Sequence, residues 1–206
     1  MVPLIDLTLP QLVQRLCALV LIAAVHGAAV AATAVALGDQ GPHHDGRLTL
    51  NPFAHLDILG TISAALFLVG WIRPISIDPA ELRRGRIALV LVVIAGAAST
   101  LLGALALRLA RPIVLPWLPD TASAAGFAWI ETTGQLSLWF ALVNLLPVPC
   151  LTGGHLLTAI MPQWRDVLAR SRPYIALLLA ILAATGLVSS LLAPAYRVLA
   201  GPLLGE

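Results

Sequence analysis

The chain has 206 residues, of which 59% are hydrophobic and 11% charged, with a formal net charge of +2 and a mean hydropathy of +0.94. Water-soluble domains carry about 25% charged residues and about half apolar ones, so a water-soluble globule is excluded. The twelve basic residues are all arginine and are dispersed, which with so small a net charge excludes a nucleic-acid surface.

The apolar residues come in long blocks joined by short polar connectors, the pattern of an all-α integral membrane protein with about four spans. The first block, residues 16–37, is long enough to cross a bilayer and rich in alanine, with His26 and Gly27 near its middle. Small residues let helices approach closely, so this helix is expected inside a bundle. Asp6 and Pro10 ahead of it, and no small-residue cleavage site behind it, do not fit a cleavable leader. Cys17 and Cys150 lie in or beside apolar blocks and read as small apolar fillers.

Residues 38–55 are polar and turn-rich, and the alternating Arg47-Leu48-Thr49-Leu50 predicts a short strand, part of a β-like hairpin. Residues 58–71 are apolar but short for a crossing, so they are expected to enter the membrane and return on the same side. Pro74 and Pro79 then interrupt any helix. Residues 87–107, 127–146 and 174–192 complete the four spans of a single membrane domain. The third carries Glu131 and Gln135 four apart, on one helix face. A short interfacial helix is expected from Pro194 onward, and Trp117 is expected at an interface.

If 58–71 returns, Arg47, Arg73, Arg83, Arg84, Arg86, Arg165, Arg170 and Arg172 share one side, and Arg15, Arg108, Arg111 and Arg197 the other. That bias makes the richer side cytoplasmic and both termini extracytoplasmic, in a cell inner (plasma) membrane.

Three stretches carry a resemblance. Gly46-Arg47-Leu48-Thr49-Leu50-Asn51-Pro52-Phe53-Ala54-His55-Leu56-Asp57 is followed by Gly70-Trp71-Ile72-Arg73-Pro74. Later come Asn144-Leu145-Leu146-Pro147-Val148-Pro149-Cys150-Leu151-Thr152-Gly153-Gly154-His155. In order and spacing these resemble the minimal, PDZ-less branch of the site-2 intramembrane metalloproteases (peptidase family M50). The resemblance implies a site-2-protease-like helical core and a groove that takes a partly unwound transmembrane segment. The loop residues Asn51, Pro52, His55 and Asp57, with Asn144, Pro147 and Pro149, would form the binding elements.

The departures fall on the chemistry. The family's first active-site helix carries His-Glu-x-x-His, and its late motif an Asp, so that three ligands hold zinc and a carboxylate activates water. At the matching positions this chain has His26, Gly27, Val30 and Thr152. Ala95-Gly96-Ala97-Ala98-Ser99-Thr100 stands where the family has Ala-Gly-Pro-x-x-Asn. His26 alone is expected to be a neutral histidine hydrogen-bonded in the bundle, and His43, His44, Asp45, His55, Asp57 and His155 are not expected to rebuild a metal site. The sequence therefore predicts a non-enzyme without cofactor or metal, a scaffold that binds another membrane protein or larger membrane complex. The alternative is a divergent active zinc intramembrane protease.

Overall fold

The computed structural model describes residues 7–205; Asp6 and Glu206 lie outside them. Helix α1 (Leu9–Ala36) starts earlier than its apolar block. The reason is a capping box: the Thr8 amide donates to Gln11 Oε1 at 3.0 Å, the Gln11 amide donates to Thr8 Oγ1 at 3.4 Å, and Pro10 sits in the first turn. Its buried face is mostly small: Ala18, Ala23, Ala24, Gly27, Ala31 and Ala34. Against it pack α5 (Ile87–Val114) and α6 (Asp120–Asn144), which also pack on each other. At Gly96 of α5 a Cβ would stand 2.7 Å from Val30 Cγ2 and 2.9 Å from His26 Cε1. The glycine is what lets the two backbones close on the imidazole.

Between α1 and α5 lie α2 (Gly41–His44), α3 (Pro52–His55) and α4 (Ile58–Phe67). The segment around α4 leaves the end of α1 and returns to it. Beyond the excursion, the Asp78 amide donates to Asp39 Oδ2 at 2.8 Å and the Arg83 amide to the Leu37 carbonyl at 2.8 Å. At the far end of the excursion, Arg15 Nη1 donates to the Ala65 carbonyl at 2.7 Å. Leu68, in the left-handed region at φ 65°, turns the chain back.

The expected β-like hairpin is corrected. Among the described residues only an isolated antiparallel bridge, Leu56 with Ile72, is present. The polar groups of Arg47–Leu50 are spent locally: the Thr49 amide donates to the Arg47 carbonyl at 2.9 Å, and the Thr49 carbonyl accepts from His55 Nε2. These bonds close turns within the loop instead of pairing the stretch with a second strand.

After α7 (Gly154–Ile160) come α8 (Arg165–Ala184) and α9 (Leu187–Leu204). Residues 174–192 are thus not one helix. Gly186 at φ 77° separates two, and α8 begins well before residue 174, running through Pro173. The tail from Pro194 onward is the second half of α9, which stacks Tyr196 on Trp139 of α6 at 4.6 Å. Among the described residues, four helices are long and apolar enough to cross a membrane: Leu9–Ala36, Ile87–Trp117, Pro162–Ala184 and Leu187–Leu204. The set differs from the expected one at α6. That helix is long but less apolar, because it is an inner helix whose polar groups face protein: Glu131 pairs with Arg111 at 2.6 Å, and Thr133, Ser137 and Asn144 are buried.

Candidate functional site

His26 is fully buried at the crossing of α1, α5 and α6. Its Nδ1 lies 3.0 Å from Thr100 Oγ1 and its Nε2 2.9 Å from Thr152 Oγ1. Thr100 Oγ1 donates to the Gly96 carbonyl at 2.9 Å, so its remaining role toward the imidazole is to accept from Nδ1–H. Nε2 is then the acceptor, and the Thr152 hydroxyl donates to it. This tautomer is inferred from the network; it satisfies both ring nitrogens without a charge. Phe140 closes the ring's edge at 5.2 Å.

Asn144 extends the network. Its Nδ2 donates to the Gly70 carbonyl at 3.0 Å and the Phe140 carbonyl at 2.9 Å, while Oδ1 lies 3.4 Å from the Thr152 amide. One side chain therefore ties the returning segment after α4 to the loop after α6. That loop is tight because Gly153 and Gly154 carry no Cβ: at Gly153 it would collide with the Leu146 carbonyl, and at Gly154 it would stand 2.6 Å from the Val148 carbonyl. Pro147 at its tip is exposed and Pro149 partly so. The stretch is a run of turns, with the Val148 amide donating to the Leu146 carbonyl and the Leu151 amide to the Val148 carbonyl.

Gly27 is the residue that the motif resemblance matches to the family's catalytic carboxylate. In the fold its missing side chain leaves the space that His55 fills: a Cβ on Gly27 would collide with Nδ1 and Cγ of that ring. His55 is fully buried. Its Nε2 donates to the Thr49 carbonyl at 2.9 Å, its Nδ1 has no partner, and burial pushes the imidazole below its usual range.

The other expected binding residues build the loop. Asn51 Oδ1 accepts from the Phe53 amide at 3.1 Å, Pro52 opens α3, and Asp57 Oδ1 accepts from the Gly60 amide at 2.8 Å, capping α4. His43 and His44 are exposed. His155 stands in the first turn of α7, where burial, followed by Arg172 and Arg165, lowers it to about 4. Glu131 is bound to Arg111, whose guanidinium also lies over the Phe127 ring at 4.7 Å.

A zinc ion of the family type does not fit these residues. It needs three N, S or carboxylate donors at about 2.0–2.3 Å. His26 has both nitrogens engaged by threonines, Val30 offers methyl groups, and Thr152 a neutral hydroxyl. Among the described residues, no group of three His, Cys, Asp or Glu side chains is placed to hold a metal.

Sequence reasoning missed that Thr100 holds His26. It also missed Ile72, Ile75 and Leu151, which with Val30, Pro149 and Thr152 line an adjoining cleft around a cavity of about 10 Å³. That is room for about one water. The visible signal was Thr100 four residues after Gly96, a spacing that puts a hydroxyl and a gap on one helix face.

The family described as "Peptidase family M50" matches residues 58–189, more than half of the chain. A curated relative from Bacillus subtilis (strain 168), named "Putative zinc metalloprotease YwhC", is 37% identical over 145 residues. The match covers 67% of this chain and 64% of the relative. No solved structure matches the chain significantly. The expectation that the chain is not an enzyme is corrected by these findings: the family is one of peptidases and the relative bears a metalloprotease name, so both point to an enzyme. The resemblance read from the three motifs holds, and this multi-pass membrane chain belongs to peptidase family M50.

Proposed function

We propose that this chain takes a segment of another membrane protein into the cleft between Ile72–Ile75 and Pro149–Thr152, as a peptidase-family protein embedded in the cell's inner membrane. The observation that carries the reading is Asn144, which fastens two non-helical segments to one another beside the buried His26. Irregular backbone at membrane depth is tolerated where it is enclosed by protein or lines a cavity. Two such segments facing each other offer an edge to an extended peptide. The cavity at the floor of the cleft admits about one water, so the segment lies along the rim at Pro147 and Pro149 and parts the walls as it enters. The arginines of the loop between α1 and α5 (Arg47, Arg73, Arg83, Arg84 and Arg86) support a cytoplasmic side for that loop and an extracytoplasmic start for α1.

A second reading, hydrolysis of the bound segment, is favoured by the family and by the relative's name. It does not run through zinc on His26, Val30 and Thr152.

Site-specific photocrosslinking tests both. A photoreactive residue replacing Pro149 should give an adduct to a membrane protein, mapped to an apolar segment of that protein. The same probe at Leu177, an exposed position on α8, should not. Equal labelling from both positions, or none from the cleft, overturns the binding reading. A shortened partner in the adduct supports hydrolysis, and an intact one after prolonged incubation counts against it.

A further inference from the structure

Away from the His26 cleft, a polar pocket of about 420 Å³ is lined by Asp45, Arg47, Ala54, Arg73, Pro74 and Ser76. Arg47 is 8% exposed. Its Nη2 donates to the carbonyls of Arg73 at 3.2 Å and Pro74 at 3.0 Å, and its buried Nη1 has no hydrogen-bond partner. Arg73 is exposed. Two guanidinium groups thus line the pocket against a single carboxylate, Asp45. Among the described residues no salt bridge joins Asp45 to either arginine. The same loop carries an exposed apolar surface: Leu48 at 44%, Leu50 at 69%, Phe53 at 78% and Ile58 at 81%. In a membrane protein such side chains sit in the acyl region, which puts the arginines beside them at headgroup depth.

We propose that this pocket binds the phosphate of an anionic phospholipid, with Arg47 and Arg73 as donors and the Leu48–Ile58 surface against its acyl chains. Guanidinium groups suit a phosphodiester because their planar donors meet two oxygens at once. The net positive pocket favours an anionic headgroup over a zwitterionic one, whose ammonium would be brought up to Arg73. A free phosphate shares the headgroup chemistry and lacks the chains.

The test uses the full chain purified in non-ionic detergent, with thermal unfolding followed against added dioctanoyl-phosphatidylglycerol, dioctanoyl-phosphatidylcholine or inorganic phosphate. The phosphatidylglycerol should raise the melting temperature saturably and by more than either of the others. Arg73→Ala, which removes an exposed side chain, should leave the lipid-free melting temperature unchanged. It should weaken the apparent affinity for phosphatidylglycerol about fivefold, the factor for one arginine near an anionic surface. Equal stabilisation by the two lipids, or an unchanged affinity in Arg73→Ala, overturns the proposal. Inorganic phosphate matching phosphatidylglycerol also overturns it, by assigning the pocket to a soluble anion.

Discussion

Gly27 and His55 occupy one volume at the centre of the bundle, so each constrains what the other position accepts. Gly27→Ala is expected to lower stability by about 1–3 kcal/mol, because the imidazole is fixed by Thr49 and cannot retreat. Thermal melts in detergent read this directly. His55→Ala in the same chain should recover part of the loss, a coupling expected only of side chains in contact. The sequence singled out His26, Gly27, Val30 and Thr152 through a motif resemblance. What replaces the lost groups was not legible. Nothing in the local sequence says that Thr100 and Thr152, far apart along the chain, converge on one imidazole, or that an absent carboxylate leaves room for a histidine from the next loop. His26→Ala should cost about 3–5 kcal/mol, since it opens a cavity and removes two buried hydrogen bonds.

At the scale of elements, helix ends decided what the sequence revealed. Apolar blocks located α1, α5 and α6, while the division between α8 and α9 rests on one backbone angle at Gly186. Gly186→Ala forces a side chain into the left-handed region and should destabilise the turn by about 1 kcal/mol; an unchanged melting temperature would show that α8 and α9 do not need it. The strand expected at Arg47–Leu50 does not form because the hydrogen bonds of that alternating stretch close turns instead of a ladder. The loop to the base of α8 has its own pH dependence. The Asp78 carboxyl is held below its usual range by the Ala80 amide first and by Arg165, at 3.2 Å, second. A depressed carboxyl contributes stability that is present above its unfolded value and lost as pH falls through its folded one. Both partners are more than a third exposed, so the contribution is below about 1 kcal/mol. Asp78→Asn should flatten that part of the stability profile on the acid side and leave neutral-pH stability within the same margin.

The whole molecule sets an inner bundle of α1, α5 and α6, which contact one another, beside two irregular segments that Asn144 joins across a narrow cleft. The membrane class and the family were readable from composition and from three motifs, because hydropathy and a twelve-residue loop survive without knowledge of contacts. The cleft was not, since its walls come from separate stretches that only the fold assembles. Beside that cleft lies a hydrogen-bonded clasp, His26 between Thr100 and Thr152, where the motif resemblance would put the family's metal. Elemental analysis of the full chain, purified without chelator from zinc-supplemented cells, tests this most directly. The prediction is far less than one zinc per chain, with no difference between the native sequence and His26→Ala; one tightly held zinc per chain that disappears in His26→Ala would contradict it.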